Sequence, residues 1–143
     1  MSLVRSKQRQ STQQIGADAE RRAAWFYRFR LFRILERNWH GGKGEIDLIV
    51  RRGRLLVFVE VRSRGKGSLA ASYETVDRVK MENVIKTAER YLATVKDDVD
   101  VRFDVVAFDV GASSGSRMRH YPDAFRPHAD LQRPWLRKGT RYK

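Results

Sequence analysis

The chain contains no cysteine. That removes any disulfide framework and any thiolate-held metal, zinc fingers included. It also fits a reducing compartment. Long apolar runs are missing too, so no membrane-spanning helix is expected. The opening residues, MSLVRSKQRQSTQQ, lack the apolar centre of a secretory signal. A cytoplasmic protein, away from membranes, is the expectation. Acids are the last scarcity: 17 Asp and Glu stand against 30 Lys and Arg, a formal net charge of +13. Such an excess points to a polyanionic partner, of which nucleic acid is the commonest.

What is present fits one domain. A length of 143 residues can bury a self-supporting core. Residues 1–14 are polar, basic and aperiodic and read as a flexible basic arm. Residues 15–125 carry the domain. Residues 126–143 hold Pro127, Pro134 and dense Arg and Lys, and read as a disordered basic tail. A helix is expected from Ile15 to about Arg33, with Ala19, Ala23, Phe26 and Arg30 on one stripe and Ala24, Tyr27 and Leu31 beside it. A short strand follows at 33–39, then the turn HGGKG at 40–44. That turn lacks the spacing of a phosphate-binding loop. Strands are expected at 45–51 and 55–63 around a turn at Arg52-Gly53. The second is apolar from Leu55 to Val61 apart from Glu60, the pattern of a strand covered on both faces.

After a Gly- and Ser-rich loop, a second helix is expected over 75–95, burying Met81, Val84, Ile85, Ala88, Leu92 and Val95. VRFDVVAFDV at 101–110 reads as a strand, and RMRHY at 117–121 as an edge strand. The order α-β-β-β-α-β, with that extra edge strand, makes an α/β fold. Three strands form a meander, a helix crosses over to a fourth, and helices flank the mixed sheet in three layers.

Carboxylates inside the strands are the anomaly. Side chains alternate along a strand, so Glu45 and Asp47 share one face, with Ile46, Leu48 and Val50 on the other. Glu60 and Arg62 share a face with Leu56 and Phe58. A hairpin near Gly53 pairs positions summing to about 105 or 107. The second register sets Asp47 against Glu60 and Glu45 against Arg62. The first sets Glu45 against Glu60. Acids facing each other repel, and burial makes their charge costly. Protonation of one acid, a shared cation or a bridging base would each resolve the conflict. A hard divalent cation suits one or two carboxylates plus waters. The plainer alternative is an exposed cross-strand pair between Glu45 and Arg62. Glu20 is a further acid, one turn into the first helix, where acids are favoured in any case. Asp104 and Arg102 share a face and read as a structural pair on an edge or partly wet surface. Lys80 and Lys86 lie on the second helix. His40, His120 and His128 are scattered, with no helical pair for a metal.

GADAERRAAWFYRFRLFRILERNWHGGKGEIDLIV, followed by LLVFVEVRSR, resembles the YraN-like family, also called UPF0102. The likeness runs from about Gly16 to Phe125 and includes RFDVV at 102–106 and DAF at 123–125. That family is similar to the restriction-endonuclease-like PD-(D/E)xK superfamily, and within it to archaeal Holliday junction resolvases. The resemblance implies a restriction-endonuclease-like core. It places the motif acids at Asp47 and Glu60, a metal-assisting helix acid at Glu20, and the motif lysine at Arg62, which is a departure. Mg²⁺ or Mn²⁺ would be held by Asp47, Glu60 and Glu20. Lys43, Arg64, Lys66 and Lys80 are the candidate nucleic-acid contacts.

The implied activity is Mg²⁺-dependent hydrolysis of DNA phosphodiester bonds, with branched or junction DNA as a candidate substrate and a homodimer as a candidate assembly. Arginine stays protonated, with a pKa above about 12, so Arg62 cannot act as a base. It can clamp a phosphate oxygen. The alternative is a catalytically weak or inactive module that keeps the fold and binds nucleic acid. RNA or the ribosome is a third partner compatible with the charge.

Overall fold

A computed structural model describes residues 12–64, 78–109, 117–127 and 141–142. Helix α1 spans Thr12–Phe29. Strands β1, β2 and β3 span Arg33–Gly41, Gly44–Arg52 and Leu55–Arg64. Helix α2 spans Arg78–Leu92. Strands β4, β5 and β6 span Asp100–Asp109, Arg117–Tyr121 and Arg141–Tyr142. The sheet runs β1-β2-β3-β4-β5, and β6 also pairs with β4. All neighbours are antiparallel except β3–β4 and β4–β6. The expected order α-β-β-β-α-β and the edge strand are both present. So is the crossover, since a parallel neighbour requires one and α2 lies within it.

Each helix covers one face. Ala19, Ala23, Ala24 and Tyr27 of α1 pack with Leu48, Val50, Val57, Val59, Val106 and Phe108. Val84, Ile85, Ala88 and Leu92 of α2 pack with Ile46, Ile49, Leu56, Phe58, Val101 and Phe103. Burial of such a large side chain contributes about 1.5–3 kcal/mol, so the two clusters dominate stability. An aromatic file runs through the α2 layer. Tyr91 meets Trp39 and Phe58 edge-on, Phe58 stacks on Phe103, and Phe103 stacks on Phe125.

Helix α1 ends four residues earlier than its apolar stripe suggested. Leu31 N–H donates to the Arg28 carbonyl and Phe32 N–H to the Tyr27 carbonyl. This is the Schellman pattern, with Leu31 in the left-handed position at φ 66°. Phe32 then packs edge-on against Tyr27, the apolar contact that accompanies the motif. As a result Arg30 and Leu31 lie outside the helix and are exposed, not buried on its stripe.

The strand ends are also displaced from expectation. Strand β1 continues through His40 to Gly41, so the first turn contains only Gly42 and Lys43. The second turn is Gly53-Arg54, one residue later than expected. Gly42 and Gly53 have φ of 63° and 60°, the positive value that short hairpins need at their first central residue. Helix α2 stops at Leu92, and Val95 beyond it still packs on the α2 cluster. Positions 75–77 of the expected helix lie outside the described residues, as do 1–11 and most of the expected tail. Of that tail, Arg141–Tyr142 pairs with Asp100–Val101.

Candidate active site

The β2–β3 register follows the sum of 107, from Arg52 opposite Leu55 to Leu48 opposite Val59. The ladder stops there, one step short of Asp47. The Asp47 carboxylate instead takes the Val61 N–H at 2.7 Å. A side chain thus replaces a strand partner, which anchors the carboxylate at the point where the strands part.

Strict alternation fails at the same place. Ile46 packs in the α2 layer, whereas Leu48 and Val50 pack in the α1 layer. The expectation that these three share a face is therefore wrong. On β1, the position opposite Asp47 lies between the pairs Arg37–Leu48 and Trp39–Ile46, and it belongs to Asn38. Asn38 has a left-handed φ of 47°, a conformation that Asn tolerates better than most residues. Its Nδ2 donates to Glu20 Oε2 at 3.1 Å. The irregularity thus orients an acid from α1. No sequence signal marked Asn38 beyond its poor fit to a strand.

Glu60 lies on the α2 face of β3 and is 7% exposed, as is Arg62. Lys80 Nζ lies 2.6 Å from Glu60 Oε1, and Arg62 Nη2 lies 4.0 Å from the same oxygen. Helix α2 can bring Lys80 there because it rests tightly on the end of β2. A side chain at Gly44 would collide with Thr87, whose hydroxyl bonds the Asn83 carbonyl within α2.

The electrostatics centre on Asp47. Burial is the main cause raising its carboxyl from 3.8 to about 7, and the Glu60 charge adds to it. The Val61 N–H and Lys80 oppose the rise, while Glu20 reinforces it. Asp47, Glu60, Glu20 and Lys80 therefore share one electrostatic neighbourhood. Among the described residues, no three His, Asp or Glu side chains are gathered closely enough to hold a metal ion as they stand. The donor set is the partly buried Asp47 carboxylate and the buried Glu60 carboxylate. Hard oxygen donors of this kind fit Mg²⁺ or Mn²⁺, which complete their shells with water.

The other expected residues are placed differently. Glu45 is exposed and pairs with His40 on β1, and the β2–β3 ladder ends at Leu48–Val59, before Glu45 could be set opposite Arg62 or Glu60. The four charged groups expected on one hairpin face are therefore reduced to Asp47, Glu60 and Arg62. Lys43 is exposed in the first hairpin turn. Arg64 ends β3. Lys66 lies outside the described residues. Lys86 is exposed on α2.

Asp104 is wholly buried, on an interior strand, and not on a wet edge. Arg102 donates to both of its oxygens at 2.7 and 2.8 Å, and Tyr27 Oη donates at 2.8 Å. His120, with its proton on Nε2, donates at 2.8 Å, and the Asp123 N–H at 3.1 Å. Burial alone would raise this carboxyl. The bonds from His120, Arg102 and Tyr27 outweigh burial and hold it at about 2. Burial and the Asp104 charge push the Tyr27 hydroxyl far above its ordinary value. The network ties α1, β4 and β5 together. The roles of Tyr27 and His120 in it were not legible in the sequence.

Fold and site together define a class: a mixed α/β protein whose sheet lies between two helices, with Asp47 and Glu60 as neighbouring carboxylates where two antiparallel strands part. The model of the family described as Uncharacterised protein family UPF0102 matches residues 19–108. The chain belongs to that family. A UPF0102 protein of Acinetobacter baumannii (strain AYE) is 37% identical over 126 residues, covering 87% of this chain and 92% of its own. One from Anaeromyxobacter dehalogenans (strain 2CP-C) is 41% identical over 114 residues, covering 79% and 84%. One from Bartonella quintana (strain Toulouse) is 40% identical over 106 residues, covering 73% and 85%. Among the described residues, no helix is long and apolar enough to cross a membrane.

Proposed function

We propose that the protein is a metal-dependent endonuclease that hydrolyses DNA phosphodiester bonds. The observation that carries this reading is the neighbouring Asp47 and Glu60, one partly buried and one buried, with Asp47 raised to about 7 and Lys80 against Glu60. Lys80 and Arg62 balance the charge at Glu60, and a cation at Asp47 would relieve the desolvation and repulsion that raise its carboxyl. Asp47 and Glu60 would hold Mg²⁺ or Mn²⁺, with Glu20 steadied by Asn38 as an outer partner. The bound ion would polarise a phosphoryl oxygen and acidify a water.

The protein's own groups have distinct tasks. The Val61 N–H fixes the Asp47 carboxylate in place. Lys80 supplies the amine that the motif position, occupied by Arg62, does not. Its side chain is 53% exposed, so the ammonium can leave Glu60 for a phosphate oxygen. Arg62 remains a fixed positive charge behind Glu60. The net charge of +13 supplies affinity for the phosphate backbone, with junction or branched DNA as a candidate substrate.

A second reading is a binding module without catalysis. It is favoured by the absence, among the described residues, of three acids or histidines close enough to hold a metal. One experiment decides between the two. Duplex, single-stranded and four-way-junction DNA are incubated with the full chain in Mg²⁺, Mn²⁺ or EDTA, beside the Asp47→Ala variant. Cleavage that needs both metal and Asp47 supports the nuclease. Salt-sensitive binding without cleavage supports the module.

A further inference from the structure

Helix α1 presents large apolar side chains to water at its C-terminal end. Trp25 is 52% exposed, Phe29 79% and Leu31 80%. The first two stand four residues apart, so their rings lie in file on one helical face, with centroids 5.8 Å apart. This face points away from the sheet, because Ala19, Ala23, Ala24 and Tyr27 occupy the buried one. The exposed Arg28 guanidinium lies over one face of the Trp25 ring, 5.5 Å from its centroid, so a base would stack on the ring by sharing or displacing it. Between positions 21 and 33 there are five arginines and no acid.

We infer that this tip of α1 is a stacking platform for unpaired nucleobases of a single strand. The inference rests on the nucleic-acid reading above and extends it to a second place on the surface. Aromatic rings accept any base on their π-faces, and adjacent guanidiniums take the phosphates between. The same charge argues against a second copy of the chain, since a symmetric contact would set arginines against arginines. It also argues against insertion into a bilayer. A membrane-surface helix needs a continuous apolar stripe, and the outward face of α1 carries Asp18, Arg21 and Arg22 before the rings begin. Glu20 lies on the same helix five residues before Trp25 and nine before Phe29, roughly 8 and 14 Å of axial rise, and the rings stand on the face turned away from the sheet.

The test measures binding of the full chain, in EDTA, to three probes of equal charge: a thymine-containing single strand, an abasic strand of the same length, and a duplex. The single strand is expected to bind on the order of tenfold more tightly than the abasic strand. The double variant W25A/F29A should erase that difference and leave duplex and abasic binding unchanged. Both side chains are exposed, and an unchanged melting temperature confirms that the variant is folded. Equal binding of single and abasic strands, or a difference that survives in W25A/F29A, overturns the platform while the nucleic-acid reading stands. Failure to bind any of the three probes overturns both. Ring-dependent dimerisation, or ring-dependent binding to phosphatidylserine vesicles, without a single-strand preference also overturns it.

Discussion

Lys80 Nζ lies 2.6 Å from Glu60 Oε1, although the two come from different layers and differ greatly in exposure, at 53% and 8% of the side chain. The carboxylate is fixed in the sheet, and the amine arrives on a helix resting against the bare backbone of Gly44. A mobile ammonium beside a buried acid can neutralise it in the resting protein and serve a phosphate when substrate is present. Lys80→Ala should therefore lower single-turnover DNA cleavage about 100-fold while the melting temperature stays near that of the wild type. Arg62→Lys should change the rate much less, because an amine already stands at Glu60. A large gain from Arg62→Lys, with no loss from Lys80→Ala, would return the lysine role to position 62.

Asp47 makes stability depend on pH in an unusual direction. Its folded-state pKa is about 7, above the ordinary 3.8. Between those values the folded protein holds a proton that the unfolded chain has released, so stability falls as pH rises and the cost is complete above about 7. Asp47→Asn should raise stability at pH 8 by on the order of 2 kcal/mol, after solvent screening, and change little near pH 4. On the proposed function, Mg²⁺ would bind only with Asp47 ionised. It should raise the melting temperature at pH 8, do so less at pH 5, and have no effect on D47N. Thermal melts across pH with and without Mg²⁺ check all three outcomes.

Periodicity and chain punctuation made the layers legible in advance. The apolar run around Glu60 placed β3 in the interior, and the stripe Val84, Ile85, Ala88, Leu92 placed α2 on the sheet. The acids Asp47 and Glu60 stood out because burial and charge conflict in a strand. What stayed hidden depends on departures from regular geometry. Alternation predicts one face for Ile46 and Leu48, but the left-handed Asn38 and the opening of the ladder at Asp47 break it. Glu45 consequently leaves the site. Asp104 was hidden for another reason. Its partners Tyr27 and His120 are 77 and 16 residues away, and only the packing of α1 and β5 on β4 brings them together.

That network makes stability fall in acid. The Asp104 carboxyl is depressed to about 2 from 3.8, so its contribution is complete above about pH 4 and is lost as pH falls through 2. Asp104→Ala strands Arg102 and Tyr27 in the interior and should cost about 3–5 kcal/mol. Tyr27→Phe removes one of several donors and should cost about 1–2 kcal/mol. Urea unfolding at pH 7 and pH 2.5 checks both. The wild-type advantage over D104A should shrink at the lower pH, and an advantage that persists unchanged would mean the network is held by packing alone.

Leu31 occupies the left-handed position that closes α1, where glycine is the favoured residue. A leucine there carries about 1 kcal/mol of backbone strain, and at 80% exposure it recovers almost nothing by burial. Glycine would relieve the strain but adds freedom to the unfolded chain, which takes back part of the gain. Leu31→Gly should therefore stabilise the protein by about 0.5 kcal/mol, whereas Leu31→Ala keeps the strain and should not. If Leu31 is retained as part of the stacking platform, the two substitutions should also weaken single-strand binding to a similar degree. Urea midpoints and single-strand affinities measured on the same two variants separate the effects. Stability should rise only with glycine, and affinity should fall with both. A fall in stability with glycine would instead show that the Leu31 side chain packs against its neighbours in solution.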